Sequence, residues 1–352
     1  MNKKKKNLII IFSSLFCVAC AVVIGIIAYG IYYDKKQGNY SESFDFYVMP
    51  GQSSGDVIDS LAATGHVLKT RSLVRSFRRE SMPDTLRPGH YTLEPASTST
   101  YTARMLKLGW QTPVSMTLST PIRSKGVLAR KIAASMLVDS SAVASALSDM
   151  SFLAKYGVDS TSLFCLVIPD TYRMYWTASV TEIFDRLDEA RKEFWNAERL
   201  AKADELGMTP EQVSTLASIV DGESHYEPEL PTIAGVYLNR LRTGMRLQAD
   251  PTIAYIYGYT LNRILNKHLT AESPYNTYKY RGLPPGPISV PPKNCLEAVL
   301  NPARHDYIYF CANPAFNGSH LFAVTYTEHL KNARAFQKAL TERQRARQQQ
   351  QS

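Results

Sequence analysis

The longest uninterrupted apolar stretch stands near the start of the chain. Residues 8–33 contain no charged side chain and follow Lys3, Lys4, Lys5 and Lys6. A helical bilayer span needs about 20 apolar residues, whereas the core of a signal peptide needs about 7–15, so the segment predicts a single transmembrane helix. Lysines ahead of it, with no comparable cluster behind, place the N-terminus in the cytoplasm and the bulk of the chain on the outer, periplasmic side of the cytoplasmic (inner) membrane. Beyond it the pattern changes period repeatedly. Residues 44–49 alternate as a strand, Pro50-Gly51 turns, and 56–64 carries Val57, Ile58, Leu61 and Ala62 at helical spacing. A helix over 70–79 and a strand over 89–93 come next.

Further on, 98–108 reads as a helix, 114–118 as a strand, and 123–136 and 140–150 as helices. Residues 181–206 predict one long amphipathic helix with Ile183, Leu187, Ala190 and Phe194 inward. A strand over 307–311, a hairpin partner over 320–324 and a helix over 327–340 close the pattern. Strands and helices mixed in this way give an α+β fold class.

The stretch that organises the rest begins at Thr209. Thr209-Pro210-Glu211-Gln212 has an N-cap residue, Pro at the first helical position and Gln placed to complete a capping box. Val213, Leu216, Ala217 and Val220 then recur at helical spacing, which predicts one buried face. With Val213 at zero, Ile219 falls near ~240°, Leu216 near ~300° and Val220 near ~340°, while Glu223 falls near ~280° and Asp221 near ~80°. Glu223 is thus expected inside the apolar arc and Asp221 at its edge. A carboxyl on the buried side is desolvated, which raises its pKa toward that of a general acid working near neutrality.

Composition removes several function classes. The net charge of +9 is concentrated at the ends: residues 1–40 hold six Lys against one Asp, and 341–352 hold three Arg against one Glu. No nucleic-acid footprint is left on the folded part, and the Arg/Gln-rich end reads as a disordered tail. Five cysteines, two of them within the apolar span, form neither a disulfide framework nor a zinc pattern, and a Cys295–Cys311 bridge stays open. The histidines lack metal-ligand spacing, and no Gly-x-Ser-x-Gly elbow or phosphate loop occurs, so no metal or other cofactor is expected.

Several motifs in order resemble the endolytic murein transglycosylase (YceG-like) family. They are Ala217-Ser218-Ile219-Val220-Asp221-Gly222-Glu223-Ser224, Val236-Tyr237-Leu238-Asn239-Arg240-Leu241, residues 244–251, Tyr275-Asn276-Thr277-Tyr278 and residues 282–288. Pro169-Asp170-Thr171-Tyr172 resembles a further run, read first as architecture. The sequence departs from the family pattern at Asp221-Gly222, where Glu-Lys is usual, and at Ala249, where Thr is usual. The resemblance implies Glu223 as the catalytic acid and a sugar site on stiff loops, with Ser224, Gln248, Asp250, Tyr275, Asn276 and Tyr278 binding substrate. It also implies a LysM-like module. The expected organisation is a basic tail (1–7), the transmembrane helix (8–33), a linker (34–43), the LysM-like module (44–97), a mixed α/β catalytic domain (98–340) and the tail (341–352).

A hydrolytic glycosidase needs two carboxyl groups flanking the scissile bond. Asp221 and Glu223 diverge by about 200° on a helix, Pro228 disfavours a helical Glu227, and Asp250 remains as a distant partner. One carboxyl suffices for the lytic transglycosylase reaction, a lyase chemistry, on the bond between N-acetylmuramic acid and N-acetylglucosamine. The resemblance implies that activity, on nascent glycan strands beside peptidoglycan synthases, with a terminase role. A non-catalytic wall-binding scaffold and a hydrolytic muramidase are the alternatives.

Overall fold

The computed structural model describes residues 3–351; Met1 and Asn2 of the expected cytoplasmic tail, and Ser352, lie outside the described residues. The first element, α1 (Lys3–Lys36), is long and apolar enough to cross a membrane; its most apolar window has a mean hydropathy of 2.8, and no residue of that window is buried in the protein.

The chain forms two compact units. The first runs through Val114 and takes back Arg173–Thr177. In it β1 (Phe44–Val48) turns through Ser53 into α2 (Ser54–Ala63), followed by α3 (Thr70–Arg79), β2 (Gly89–Leu93) and α4 (Ser99–Leu108). The Ser53 and Asp56 side chains form a reciprocal capping box at the start of α2. β1 and β2 pair antiparallel, Phe44 opposite Leu93 and Val48 opposite Gly89. Alternation sends Phe46 and Val48 inward to meet Val57, Leu61, Leu73, Phe77 and Tyr91. Ala103, Met105 and Leu106 of α4 share that core, so α4 belongs with this unit and not with the second, as the expected boundary at 97 would have it. At the end of α1, Asp34 is fully buried. It accepts hydrogen bonds from Ser72 Oγ at 2.6 Å, Arg75 Nη2 at 2.6 Å and Arg79 Nη2 at 3.1 Å.

The second unit holds Ser115–Tyr172 and the chain from Ala178 onward. Two short strands, β3 (Val114–Thr117) and β4 (Thr171–Met174), straddle the division, and α5 (Lys125–Ala133), α6 (Ser140–Ala146), α7 (Met150–Ala154), α8 (Val180–Phe194), α9 (Ala197–Glu205), α10 (Pro210–Glu223), α11 (Leu230–Arg242), α12 (Asp250–Ile256), α13 (Lys293–Leu300), β5 (Tyr309–Ala312), β6 (His320–Ala323) and α14 (Tyr326–Gln351) lie in the second unit. The expected single helix over 181–206 is instead two. Asn196 breaks it by accepting a side-chain hydrogen bond from Arg199 N at 3.0 Å, an N-cap that restarts the helix as α9. The helix predicted over 140–150 also divides, because Asp149 caps the separate α7. β5 and β6 form the expected hairpin, Tyr309 opposite Ala323. α14 continues through the residues expected to be a disordered tail; Arg, Gln and Ala there are all good helix formers.

α10 is the hub. Every residue from Val213 to Val220 is buried, so the helix is enclosed on all sides rather than along the single face that its spacing predicts. Its three buried hydroxyls are satisfied locally: Ser214 Oγ donates to Pro210 O at 2.8 Å, Thr215 Oγ1 to Glu211 O at 2.7 Å and Ser218 Oγ to Thr215 O at 2.7 Å. Leu216, Ile219 and Val220 pack with Ile233 of α11 and with Leu296 and Val299 of α13.

Asp34→Ala would strip four donor atoms, on Ser72, Arg75 and Arg79, of their shared acceptor. Charge-assisted bonds of this kind contribute about 1.5–3 kcal/mol, so urea unfolding of detergent-solubilised protein should show the first unit destabilised by about 2 kcal/mol, with the second unit's transition unmoved.

Candidate active site

α10 delivers its last residue, Glu223, to the place where the buried helix ends. The capping box at its start forms as the sequence predicts: Thr209 Oγ1 accepts from Gln212 N at 3.3 Å and Thr209 N donates to Gln212 Oε1 at 2.9 Å. At the other end Ser224 leaves helical geometry (φ −149, ψ 141) and its hydroxyl accepts from Tyr226 N at 3.0 Å. Glu223 keeps limited contact with solvent, so its carboxyl is desolvated yet reachable.

Tyr237 of α11, almost wholly buried, donates its hydroxyl to Glu223 Oε1 at 2.6 Å. Arg240 stands three residues on, its guanidinium carbon 5.8 Å from the Tyr237 ring centroid. Arg240 is buried but paired: Nε donates to Ile308 O at 2.7 Å and Nη1 to Leu247 O. Tyr278 donates its hydroxyl to Asp250 Oδ1 at 2.6 Å.

These neighbours set the proton affinity of Glu223. Burial raises it from 4.5 to about 7, and the Asp250 charge pushes the same way; the Tyr237 hydrogen bond and the Arg240 charge act against them. A helix C-terminus, where the macrodipole is negative, also disfavours a carboxylate. Burial and the neighbouring carboxyls raise the Tyr237 and Tyr278 hydroxyls, so both stay protonated donors. One carboxyl that is half protonated near neutrality can both give and accept a proton.

Asp221 points elsewhere, into a separate cavity, and is raised by burial while His225 and Arg123 lower it. Between the two acids, Gly222 has a structural task. A Cβ there would lie 2.5 Å from Pro251 Cβ and 2.6 Å from Cγ, so only glycine lets the start of α12, with Asp250, approach the end of α10 this closely.

Of the residues expected to bind substrate, Asp250 and Tyr278 are drawn to Glu223. Ser224 adjoins it but commits its hydroxyl to the turn. Gln248 is exposed on left-handed backbone (φ 49), its N–H bonded to Thr277 O at 3.1 Å. Tyr275 and Asn276 are engaged by the fold itself. Tyr275 packs on Tyr255, ring centroids 4.6 Å apart, half-buried against the hydrophobic cluster. Asn276 is fully buried and its amide is used up: Nδ2 donates to Leu269 O and Ala271 O at 2.9 and 2.8 Å, and Oδ1 accepts from Tyr278 N at 3.0 Å. It holds the loop that carries Tyr278. Tyr237 and Arg240 were missed, although an Arg three residues from a Tyr on an apolar helix signals a shared buried face. A cavity of about 1230 Å³ in this unit is lined by Glu211, Leu238, Arg242, Pro284 and His305 and contains none of the Glu223 group.

Such a constellation, one poised carboxyl with phenolic donors and a second carboxylate beside it, defines an acid–base site. Residues 46–335 match the YceG-like family, and the chain belongs to it. It is 44% identical over 117 residues to the endolytic murein transglycosylase of Bacillus subtilis, covering 33% of this chain and 32% of that protein. It is 32% identical over 130 residues to the endolytic murein transglycosylase of Streptococcus pneumoniae, covering 36% of this chain and 23% of that one. The alignments thus span a third or less of these relatives. The crystal structure of a yceG-like protein from Listeria monocytogenes superposes with a TM-score of 0.56 at 27% identity, over 82% of this chain and 98% of that one.

This geometry makes two outcomes measurable. Asp250→Asn removes the like charge and should lower the Glu223 pKa, whereas Tyr237→Phe removes the bond to the carboxylate and should raise it; carbon-13 NMR titration of the carboxyl reads both directly. Gly222→Ala gains about 1 kcal/mol of helix propensity but overpacks against Pro251 at about 1–3 kcal/mol. A net loss in urea unfolding is expected, recovered in part when Pro251→Gly is added.

Proposed function

We propose that the protein is a lytic transglycosylase of peptidoglycan, cleaving the bond between N-acetylmuramic acid and N-acetylglucosamine without water. What carries the reading is Glu223, desolvated at the end of α10, bonded to Tyr237 and held near a pKa of about 7. As an acid it protonates the glycosidic oxygen, and the N-acetylglucosamine leaves with its 4-hydroxyl restored. As a carboxylate it then takes the proton of the muramoyl C6 hydroxyl, whose oxygen closes on C1 as a 1,6-anhydro ring. The proton given is thereby regained, and no cofactor enters. Tyr237 keeps the carboxyl oriented through both steps. The relatives named endolytic murein transglycosylases support the same substrate class.

The lysines at the start of α1 support a cytoplasmic N-terminus with the chain beyond α1 outside the membrane, where nascent strands emerge. A terminase role beside peptidoglycan synthases belongs to the same reading. The strand–helix–helix–strand order of the first unit supports a LysM-like role in holding glycan.

Asp250 favours a second reading. Its charge reaches Glu223, so it is a candidate second carboxylate for a hydrolysing muramidase.

The products separate the two. Glu223→Gln keeps the shape but exchanges no proton, and should lower the cleavage rate of purified sacculi by at least about 10²-fold. Mass spectrometry of wild-type digests should show 1,6-anhydromuramoyl ends, lighter by one water and resistant to borohydride. Reducing muramic acid would instead establish hydrolysis.

A further inference from the structure

Behind Asp221 lies a group of side chains that the reaction at Glu223 does not use. Arg123, just ahead of α5, donates no hydrogen bond within the described residues. Its guanidinium lies over the Tyr259 ring, 4.7 Å from the centroid. That ring is a fixed platform. Tyr259 occupies the left-handed region at φ 59, uncommon for a bulky residue, and its hydroxyl donates to Ile288 O at 2.7 Å.

Arg123, Tyr259, Asp221 and Ser289 wall a cavity of about 240 Å³. Asp221 accepts no hydrogen bond within the described residues. It feels the Arg123 charge, yet the two are not in ion-pair contact. Arg123 and Tyr259 also wall an adjoining cavity of about 530 Å³, beside Lys125, Ser124 and Ser160. Two opposite charges thus face one small space with their hydrogen-bonding capacity unused, and a roomier, largely apolar space opens next to it.

We propose that this cavity is a subsite for the charged end of a short peptide, its carboxylate on Arg123 and its ammonium or amide N–H on Asp221. The substrate that supplies such a group is the peptide stem of peptidoglycan, so the proposal rests on the transglycosylase reading. Asp221 and Glu223 diverge by about 200° at the end of α10, so a stem, extending about 3.3–3.6 Å per residue, would pass round that helix end from a sugar held at Glu223 to reach Asp221. A phosphate or sulfate suits the cavity less, because Asp221 faces it with the wrong sign. A cationic group at Asp221 would relieve the desolvation that now holds that carboxyl above its ordinary range.

The test uses the full chain in detergent micelles and two substrates: glycan strands with their stems, and the same strands stripped by an amidase. For Arg123→Gln the ratio of kcat/KM, stem-bearing over stem-free, should fall about tenfold, the size of one charge-assisted bond. Arg123→Lys should restore part of it, and circular dichroism melting should match wild type. An unchanged ratio overturns the subsite. A second readout needs no cleavage: saturation-transfer NMR with the free stem tripeptide should detect binding to wild type that is lost in Arg123→Gln and Asp221→Asn. A wild type that binds the tripeptide but cuts no strand keeps the subsite and sinks the transglycosylase. A wild type that cuts strands, binds no tripeptide and shows no ratio change with Arg123→Gln sinks the subsite alone.

Discussion

A helix enclosed on every side can offer only its ends to solvent, and α10 offers the end that carries Glu223. The enclosure is what the rest of the second unit is built to provide, with α11 and α13 packed along the helix and the Ser218 hydroxyl accepting the Ile288 N–H at 3.0 Å. Desolvation is the result, and it is the largest influence on the Glu223 carboxyl. Packing and proton affinity therefore have one cause. An acid on a solvated helix end would ionise near its ordinary value and could not donate at neutral pH.

The second layer around Glu223 works by opposition. Asp250 pushes protons onto it, whereas Tyr237 and Arg240 pull them off, and the balance falls close to neutrality. Each opponent is itself held: Asp250 by Tyr278, Tyr278 by the loop that Asn276 clamps, and Arg240 by two backbone carbonyls. Rigid supports of this kind keep a reacting group in place without a reorganisation cost at each turnover. The tight seat of Pro251 on Gly222 extends the same rigidity to the side that faces Asp221.

Neighbouring positions on one helix end thus serve different surfaces. Glu223 faces the tyrosines and Asp250, and Asp221 faces Arg123 across its own cavity. The split is a consequence of helical pitch, since residues two apart point to opposite sides.

How much of this was legible beforehand depends on whether a feature is local. The capping box at Thr209, the β5–β6 hairpin, the apolar span in α1 and the place of Glu223 inside the apolar arc are set by residues within a few positions of one another, and the sequence determined them. The division of the 181–206 helix was also local, but a single Asn cap outweighed the longer amphipathic pattern. Other features depend on partners far along the chain. Tyr237 reaches Glu223 from 14 residues away, Tyr278 reaches Asp250 from 28, and Ile308 supplies the Arg240 carbonyl from 68. The amide of Asn276 clamps its loop, because only the folded loop brings the Leu269 and Ala271 carbonyls to it. Side-chain chemistry is written in the sequence; which group each side chain meets, and how much water remains between them, is decided by tertiary packing.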